Sequence, residues 1–227
     1  MKNVKKILVL ALAALLLVAV SVAGTVAYLT ATSNEVQNTF TAAELGVVLS
    51  ETKTSDDKWE QPLLPGATYN KDPMVKLTEK SADAWVFVEI IETNNTLAAG
   101  SGKKVNCNID TENWVQVLDD NDAPVTTNAE DSVGIWMYKK NALTASDTTG
   151  VYFLKEGTDQ HGSVTVNTAV TTADMGENNL PSITFKAYAL QSANLKIGTT
   201  DIDKDNAESN AYQMWLLAAP APSTTTP

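Results

Sequence analysis

Aspartates alternate with other residues in one segment late in the sequence, Asp201-Ile202-Asp203-Lys204-Asp205-Asn206. Carboxylates at alternate positions can converge on one calcium ion where the backbone curls around it. Asp201, Asp203 and Asp205 are therefore candidate calcium ligands. The EF-hand form also needs glycine at the sixth position and glutamate at the twelfth, where this chain has Asn206 and Tyr212. The alternative interpretation is a solvated acidic turn in which Asp205 or Asn206 caps a following helix.

The sequence offers little for catalysis. His161 is the only histidine, so a two-histidine zinc site is excluded, and any serine or cysteine triad would have to use it. Its turn-like surroundings favour an exposed loop position. Cys107, the only cysteine, has no disulfide partner and lies in an alternating segment, where a small side chain in or beside a strand is expected. We predict no catalytic residues, no enzymatic activity and no cofactor other than calcium.

Short alternating segments separated by polar turns predict strands rather than helices. Residues 85–92 (WVFVEIIE) are apolar on both faces, which is typical of a central strand. The other predicted strands lie at 45–50, 74–78, 113–118, 133–138, 151–154, 163–167 and 183–189. In the last of these, one face carries Ile183, Phe185, Ala187 and Ala189, opposite Lys186.

The pattern predicts an all-β fold, an antiparallel β-sandwich of jelly-roll type with one or two short helices. The candidate helices are part of 95–102 and 207–218, where Ala211, Trp215 and Ala218 would share one face. We place the β-sandwich domain at 39–218. Residues 219–227 (APAPSTTTP) are expected to be an extended, flexible tail.

The first residues have the order of a secretory signal. Three lysines, at positions 2, 5 and 6, precede the apolar run 7–22, and small residues follow. Cleavage after Ala23 or Ala27 satisfies the small-residue rule of signal peptidases. The alternative is a retained transmembrane anchor, since the run is a little short of the roughly 20 residues that span a bilayer.

The charge of the chain limits its partners. Its formal net charge is −11, and all 16 basic residues are lysines. Cleavage after Ala27 would remove three of those lysines and no acid, which takes the charge to about −14. An arginine-free chain of this charge would be repelled by nucleic acid, so we exclude that class of partner.

Two segments near the start carry a resemblance to a known family. Residues 24–30 (GTVAYLT) and 38–47 (NTFTAAELGV) are similar to the start of proteins exported through the dedicated SipW signal peptidase, the TasA/camelysin-like family of Gram-positive bacteria. Weaker matches are spread over the chain, at Leu64-Pro65-Gly66, 84–88 and Ala187-Tyr188-Ala189-Leu190-Gln191. The resemblance implies cleavage after Ala27, with Tyr28 as the new terminus, and no stable membrane insertion afterwards.

The family resemblance also implies a function. It indicates a secreted or cell-surface jelly-roll subunit of biofilm matrix fibres, which assembles with itself or with other matrix proteins. In such fibres the freed N-terminal segment acts as a donor strand that pairs with an open sheet edge of the next subunit. Residues 28–38 are the candidate donor, with Tyr28, Leu29 and Val36 as its apolar side chains. The alternative is that this segment folds back on its own domain or stays disordered.

Two other functions stay open. A monomeric surface module could bind a glycan or protein, with Trp59 or Trp114 lining a shallow face, although a buried core position is expected for most of the five tryptophans. A camelysin-like metalloprotease is the remote alternative, because the chain lacks the histidines that such chemistry normally uses.

Overall fold

The structure, a computed structural model, describes residues 44–51, 61–127, 129–147, 149–155 and 162–220. The predicted signal peptide, the candidate donor segment and residues 221–227 lie outside the described residues. Within the described part, no helix is long and apolar enough to cross a membrane.

The described residues form twelve strands. They are β1 (Val47–Ser50), β2 (Thr68–Asn70), β3 (Met74–Leu77), β4 (Ala84–Thr93), β5 (Val105–Cys107), β6 (Trp114–Gln116), β7 (Ser132–Tyr138), β8 (Val151–Tyr152), β9 (Ser163–Val166), β10 (Ser182–Gln191), β11 (Lys196–Ile197) and β12 (Thr200–Asp201). Every pair of named strands is antiparallel. The described helices are α1 (Ala211–Ala218) and three short 3-10 helices, Thr172–Asp174, Glu177–Asn179 and Glu208–Asn210.

Strand β4 is central, as its composition predicts. It pairs with β10 along its whole length and with β7 on its other side, in a sheet of order β10-β4-β7-β6. Val86 and Val88 point to one face and Trp85 and Phe87 to the other, and each is at most 2% exposed. A strand that is buried on both faces has no need of polar alternation, which explains its continuous apolar run.

One face of this sheet packs against two smaller sheets, of order β1-β3-β8 and β2-β9-β5. We call this contact the sheet-side core. Val75 of β3, Val88 of β4 and Val164 of β9 meet there. The predicted shared face of β10 is confirmed, because the four side chains assigned to it all belong to this core: Ile183, Phe185, Ala187 and Ala189.

The opposite face packs against α1 and forms the helix-side core. Trp215 lies 5.5 Å from Phe87 and 5.2 Å from Tyr188, measured between ring centroids. Ala211 is also buried and Ala218 is partly buried against the same cluster, so the predicted helix face is confirmed. The all-β class with one short α-helix is confirmed for the described residues.

The prediction of a helix within 95–102 is wrong. The Asn95 side chain accepts a hydrogen bond from the Val105 N–H at 2.8 Å and donates to the Val105 carbonyl at 2.9 Å. Gly100 and Gly102 both have positive φ, of 86° and 93°. The segment is therefore a tight loop, because an asparagine that bonds the backbone and glycines in left-handed conformations both compete with helical hydrogen bonding.

Candidate functional site

The three predicted calcium ligands make separate contacts. Asp201 pairs with Lys196 at 2.8 Å, and Asp205 pairs with Lys204. Asp203 Oδ1 accepts the backbone N–H groups of Asp205 at 2.9 Å and of Asn206 at 3.2 Å. Among the described residues, no group of three or more histidine, cysteine or acidic side chains is arranged to hold a metal ion. Calcium binding stays a prediction that would require these carboxylates to exchange partners.

The turn at 203–206 is closed by Asp203 together with Asn206, which is one of the two residues of the capping alternative. Asp203, rather than Asp205, receives the backbone N–H groups, while the Asn206 side chain accepts the Asp203 N–H at 3.0 Å. An aspartate oxygen that accepts N–H groups two and three residues ahead forms an Asx-type turn. The chain then enters the 3-10 helix and α1.

Cys107 lies at the end of β5 and is half-buried. Burial raises the pKa of its thiol to about 12, and the nearby charge of Glu92 adds to the effect. Since the thiolate is the reactive form, this thiol is protonated at neutral pH and chemically quiet. The prediction that it lies in or beside a strand is confirmed.

Several sequence-predicted residues lie outside the described part of the chain. These are the cleavage residues Ala27 and Tyr28, the donor-strand residues Leu29 and Val36, and also Trp59 and His161. Trp114 is described, and the idea that it is exposed is wrong. It is 1% exposed because Tyr138 and Phe153 pack edge-on against it at 5.4 and 5.1 Å.

The outer side of β10 is the longest open sheet edge among the described strands. All ten residues of β10 pair with β4 on one side, and no described strand pairs with the other side. Strand β1 lies near β10 but makes its register pairs with β3. Lys186 is the only charged residue of β10 and is exposed. Such an edge presents unpaired backbone groups that another strand can satisfy.

A carboxylate lies buried just behind this edge. Glu89 of β4 is fully buried and accepts hydrogen bonds from the Tyr188 hydroxyl at 2.6 Å and from the Thr127 hydroxyl. Burial raises the pKa of Tyr188 above its ordinary value, and the hydrogen bond to Glu89 raises it further. The tyrosine is thus a fixed donor, and it ties β10 to β4 by a side-chain bond in addition to the ladder.

Sequence reasoning missed a second feature, an open cleft of about 330 Å³ between residues 110–113, the end of β7 and strand β8. Asp110, Glu112, Tyr138 and Tyr152 line it. The signal that could have indicated it is the cluster of acidic and amide side chains just before Trp114, but the sequence does not indicate that β8 lies opposite. No family model, curated protein or solved structure matches this chain.

Proposed function

We propose that this chain is exported, loses its signal peptide after Ala27 and serves as a non-catalytic structural subunit of extracellular fibres. Its sheets would form a sandwich of jelly-roll type, and its freed N-terminal segment would pair with the sheet of a second copy. The proposal follows the resemblance of residues 24–30 and 38–47 to the TasA/camelysin-like family.

The observation that carries the proposal is the open edge of β10. Among the described residues, the ten residues of β10 pair only with β4, so their outward-facing N–H and C=O groups have no described strand partner, although β1 lies near this side. An added strand would satisfy these groups in the ladder and place alternate side chains on the two faces of the sheet. Because β10 is anchored to β4 over its full length, the edge is already formed before a donor arrives, which lowers the entropic cost of pairing.

The composition of the donor segment suits this edge. Residues 28–38 (YLTATSNEVQN) contain no proline or glycine, one acid at Glu35 and no lysine. The exposed Lys186 discourages β10 from pairing with the β10 of another copy, because two lysines would approach each other. A donor with one acid and no base avoids that repulsion. The charges therefore favour pairing of the donor with β10 over pairing of two identical edges.

The test compares the mature protein, 28–227, with a variant that lacks residues 28–38. We expect fibres from the mature protein by electron microscopy after slow concentration and none from the truncated one. A synthetic peptide of residues 28–38 should bind the truncated protein at one peptide per molecule. The same peptide should stop fibre growth of the mature protein.

A peptide of the same composition in scrambled order is the control, and it should neither bind nor inhibit. Sequencing the N-terminus of protein recovered from culture should give Tyr28. Identical fibres from the truncated protein would contradict strand donation. A mature protein that stays monomeric at every concentration would contradict the fibre role itself.

A further inference from the structure

The cleft beside Trp114 has the features of a ligand site that is separate from the β10 edge. Its volume of about 330 Å³ lies at the small end of the range for small-molecule sites. Such a volume suits a single compact unit. The polar and aromatic side chains that matter for recognition are Asp110, Glu112, Asn113, Tyr138, Tyr152 and Lys155.

A buried tryptophan packs behind two of the residues that line the cleft. Trp114 is 1% exposed, and its indole N–H donates to the Tyr152 carbonyl at 2.8 Å. Its ring also packs edge-on against Tyr138. The Tyr138 ring and the backbone of β8 are therefore held in place, so that binding would cost little ordering of this part of the cleft.

One wall of the cleft carries a carboxylate, Asp110, that can accept further hydrogen bonds. Asp110 accepts the Glu112 N–H at 3.1 Å through one oxygen and the Asn113 side-chain amide through the other. An ionised carboxylate has about four acceptor positions, so each oxygen can take a further donor. These two bonds fix the orientation of the Asp110 carboxylate and leave further acceptor positions on both of its oxygens.

A lysine from the opposite wall pairs with the other carboxylate. Lys155 Nζ lies 3.2 Å from Glu112 Oε1, and the two side chains are 61% and 76% exposed. Exposed pairs of this kind contribute little, so an incoming cation can displace the lysine. The pair marks a position where an ammonium group already binds.

Two carboxylates, Asp110 and Glu112, and one cation, Lys155, line the cleft, so its formal charge is negative. The pKa of Tyr138 is raised first by burial and then by the charges of Asp110 and Asp147. A cation near the tyrosine ring would interact favourably with both the carboxylates and the ring face. An anionic ligand would be repelled by the same groups and by the net charge of −11.

We propose that this cleft binds one amino sugar unit of a glycan, with its ammonium group between Asp110 and Glu112 and its ring against the tyrosines. A sugar ring presents an apolar face together with hydroxyl donors and acceptors, and the cleft supplies aromatic faces, carboxylate acceptors and the Asn113 amide. A lysine side chain would use the carboxylates alone. The ammonium distinguishes the ligand from neutral and acidic sugars.

The test is calorimetric titration of the mature protein with three short oligosaccharides. We expect binding of a glucosamine oligomer, at least tenfold weaker binding of an N-acetylglucosamine oligomer, and none of a glucuronic acid oligomer. Equal or tighter binding of the N-acetylated oligomer would overturn the ammonium assignment, and so would an absence of glucosamine binding at millimolar concentration. A lysine-containing peptide that binds as tightly as the glucosamine oligomer would overturn the assignment to a glycan.

Two variants test whether Lys155 competes with the ligand and whether Glu112 binds it. Lys155→Ala removes the competing ammonium and should tighten glucosamine binding about two- to fivefold, while Glu112→Gln should weaken it by a similar factor. Lys196→Ala is the matched control for charge, because Lys196 also forms an exposed ion pair, with Asp201 at 2.8 Å, on the β11–β12 hairpin. Weaker binding by Lys155→Ala would contradict the proposal. The variant without residues 28–38, from which no fibres are expected, should bind the glucosamine oligomer as tightly as the mature protein, so the two proposals succeed or fail separately.

Discussion

At the scale of single residues, the most informative side chain is Glu89. A fully buried carboxylate is costly unless hydrogen bonds compensate for lost hydration. Here the Tyr188 and Thr127 hydroxyls supply those bonds from β10 and from the chain that precedes β7. The side chain therefore connects three parts of the fold through one polar cluster, and the loss of either donor leaves an unsatisfied oxygen in the interior.

We predict that Tyr188→Phe lowers the free energy of unfolding by about 1–3 kcal/mol, because the buried carboxyl loses a donor. The raised pKa of Tyr188 also makes its contribution to the free energy of unfolding depend on pH. A phenol whose pKa is higher in the folded state stabilises the fold below its ordinary value of 10.0, and this contribution is lost as pH rises above that value. The difference between the wild type and Tyr188→Phe should therefore shrink above about pH 10 in urea titrations.

Tyr138→Phe is the control, because Tyr138 lines the open cleft. At neutral pH, Tyr138→Phe should change the free energy of unfolding by no more than about 0.5 kcal/mol. Equal losses for the two variants would show that the Tyr188 hydroxyl bond contributes no specific stability.

At the scale of elements, α1 covers one face of the central sheet. The helix has only eight residues, too few to be stable alone, so its packing must hold it in place. Met214 and Trp215 supply that packing and are at most 3% exposed, whereas Leu216 and Leu217 are 53% and 57% exposed. Comparing substitutions in the buried pair with substitutions in the exposed pair therefore separates the effect of burial on stability from the effect of helix propensity.

We predict that Trp215→Ala lowers the free energy of unfolding by about 3–5 kcal/mol, because it removes the ring that fills the space between Phe87 and Tyr188. Urea denaturation followed by circular dichroism measures this as a lower midpoint. Leu217→Ala on the same helix should change stability by no more than about 0.5 kcal/mol. If both variants had the same small effect, α1 would not be part of the cooperative unit.

At the scale of the whole molecule, acidity opposes self-association. With its signal peptide removed, each copy would carry a net charge of about −14, counted from −11 and the three lost lysines. Copies that approach each other therefore repel until salt screens them. If fibres form through β10, charge sets the concentration at which they begin.

We predict that the onset concentration of fibre formation falls as ionic strength rises from about 0.02 to 0.5 M, because the screening length drops from about 20 Å to about 4 Å. Sedimentation with electron microscopy distinguishes fibres from amorphous precipitate. The variant without residues 28–38 should give no fibres at any salt concentration. An onset that rises with salt would show that attraction between unlike charges drives assembly instead.

The sequence by itself determined the features that depend on local periodicity. Three features could be read from spacing: the double-sided apolar run at 85–92, the face that Ile183, Phe185, Ala187 and Ala189 share in β10, and the face of α1. Side-chain direction repeats every two residues in a strand and about every 3.6 in a helix. The predicted cleavage of a signal peptide also rests on a local pattern of residues, and it stays a prediction. The short strands β2, β11 and β12 escaped prediction, since two or three residues carry no measurable period.

Only the tertiary structure decided which strands are neighbours and therefore which residues meet. Ala84 pairs with Gln191, and Tyr188 bonds Glu89 across 99 positions of sequence. Trp114 changed from a candidate surface aromatic to a buried core residue, because Tyr138 of β7 and Phe153, which follows β8, pack against it. The physical reason is that hydrogen-bond ladders and core packing join segments that are distant in sequence, and no local pattern encodes the identity of the partner.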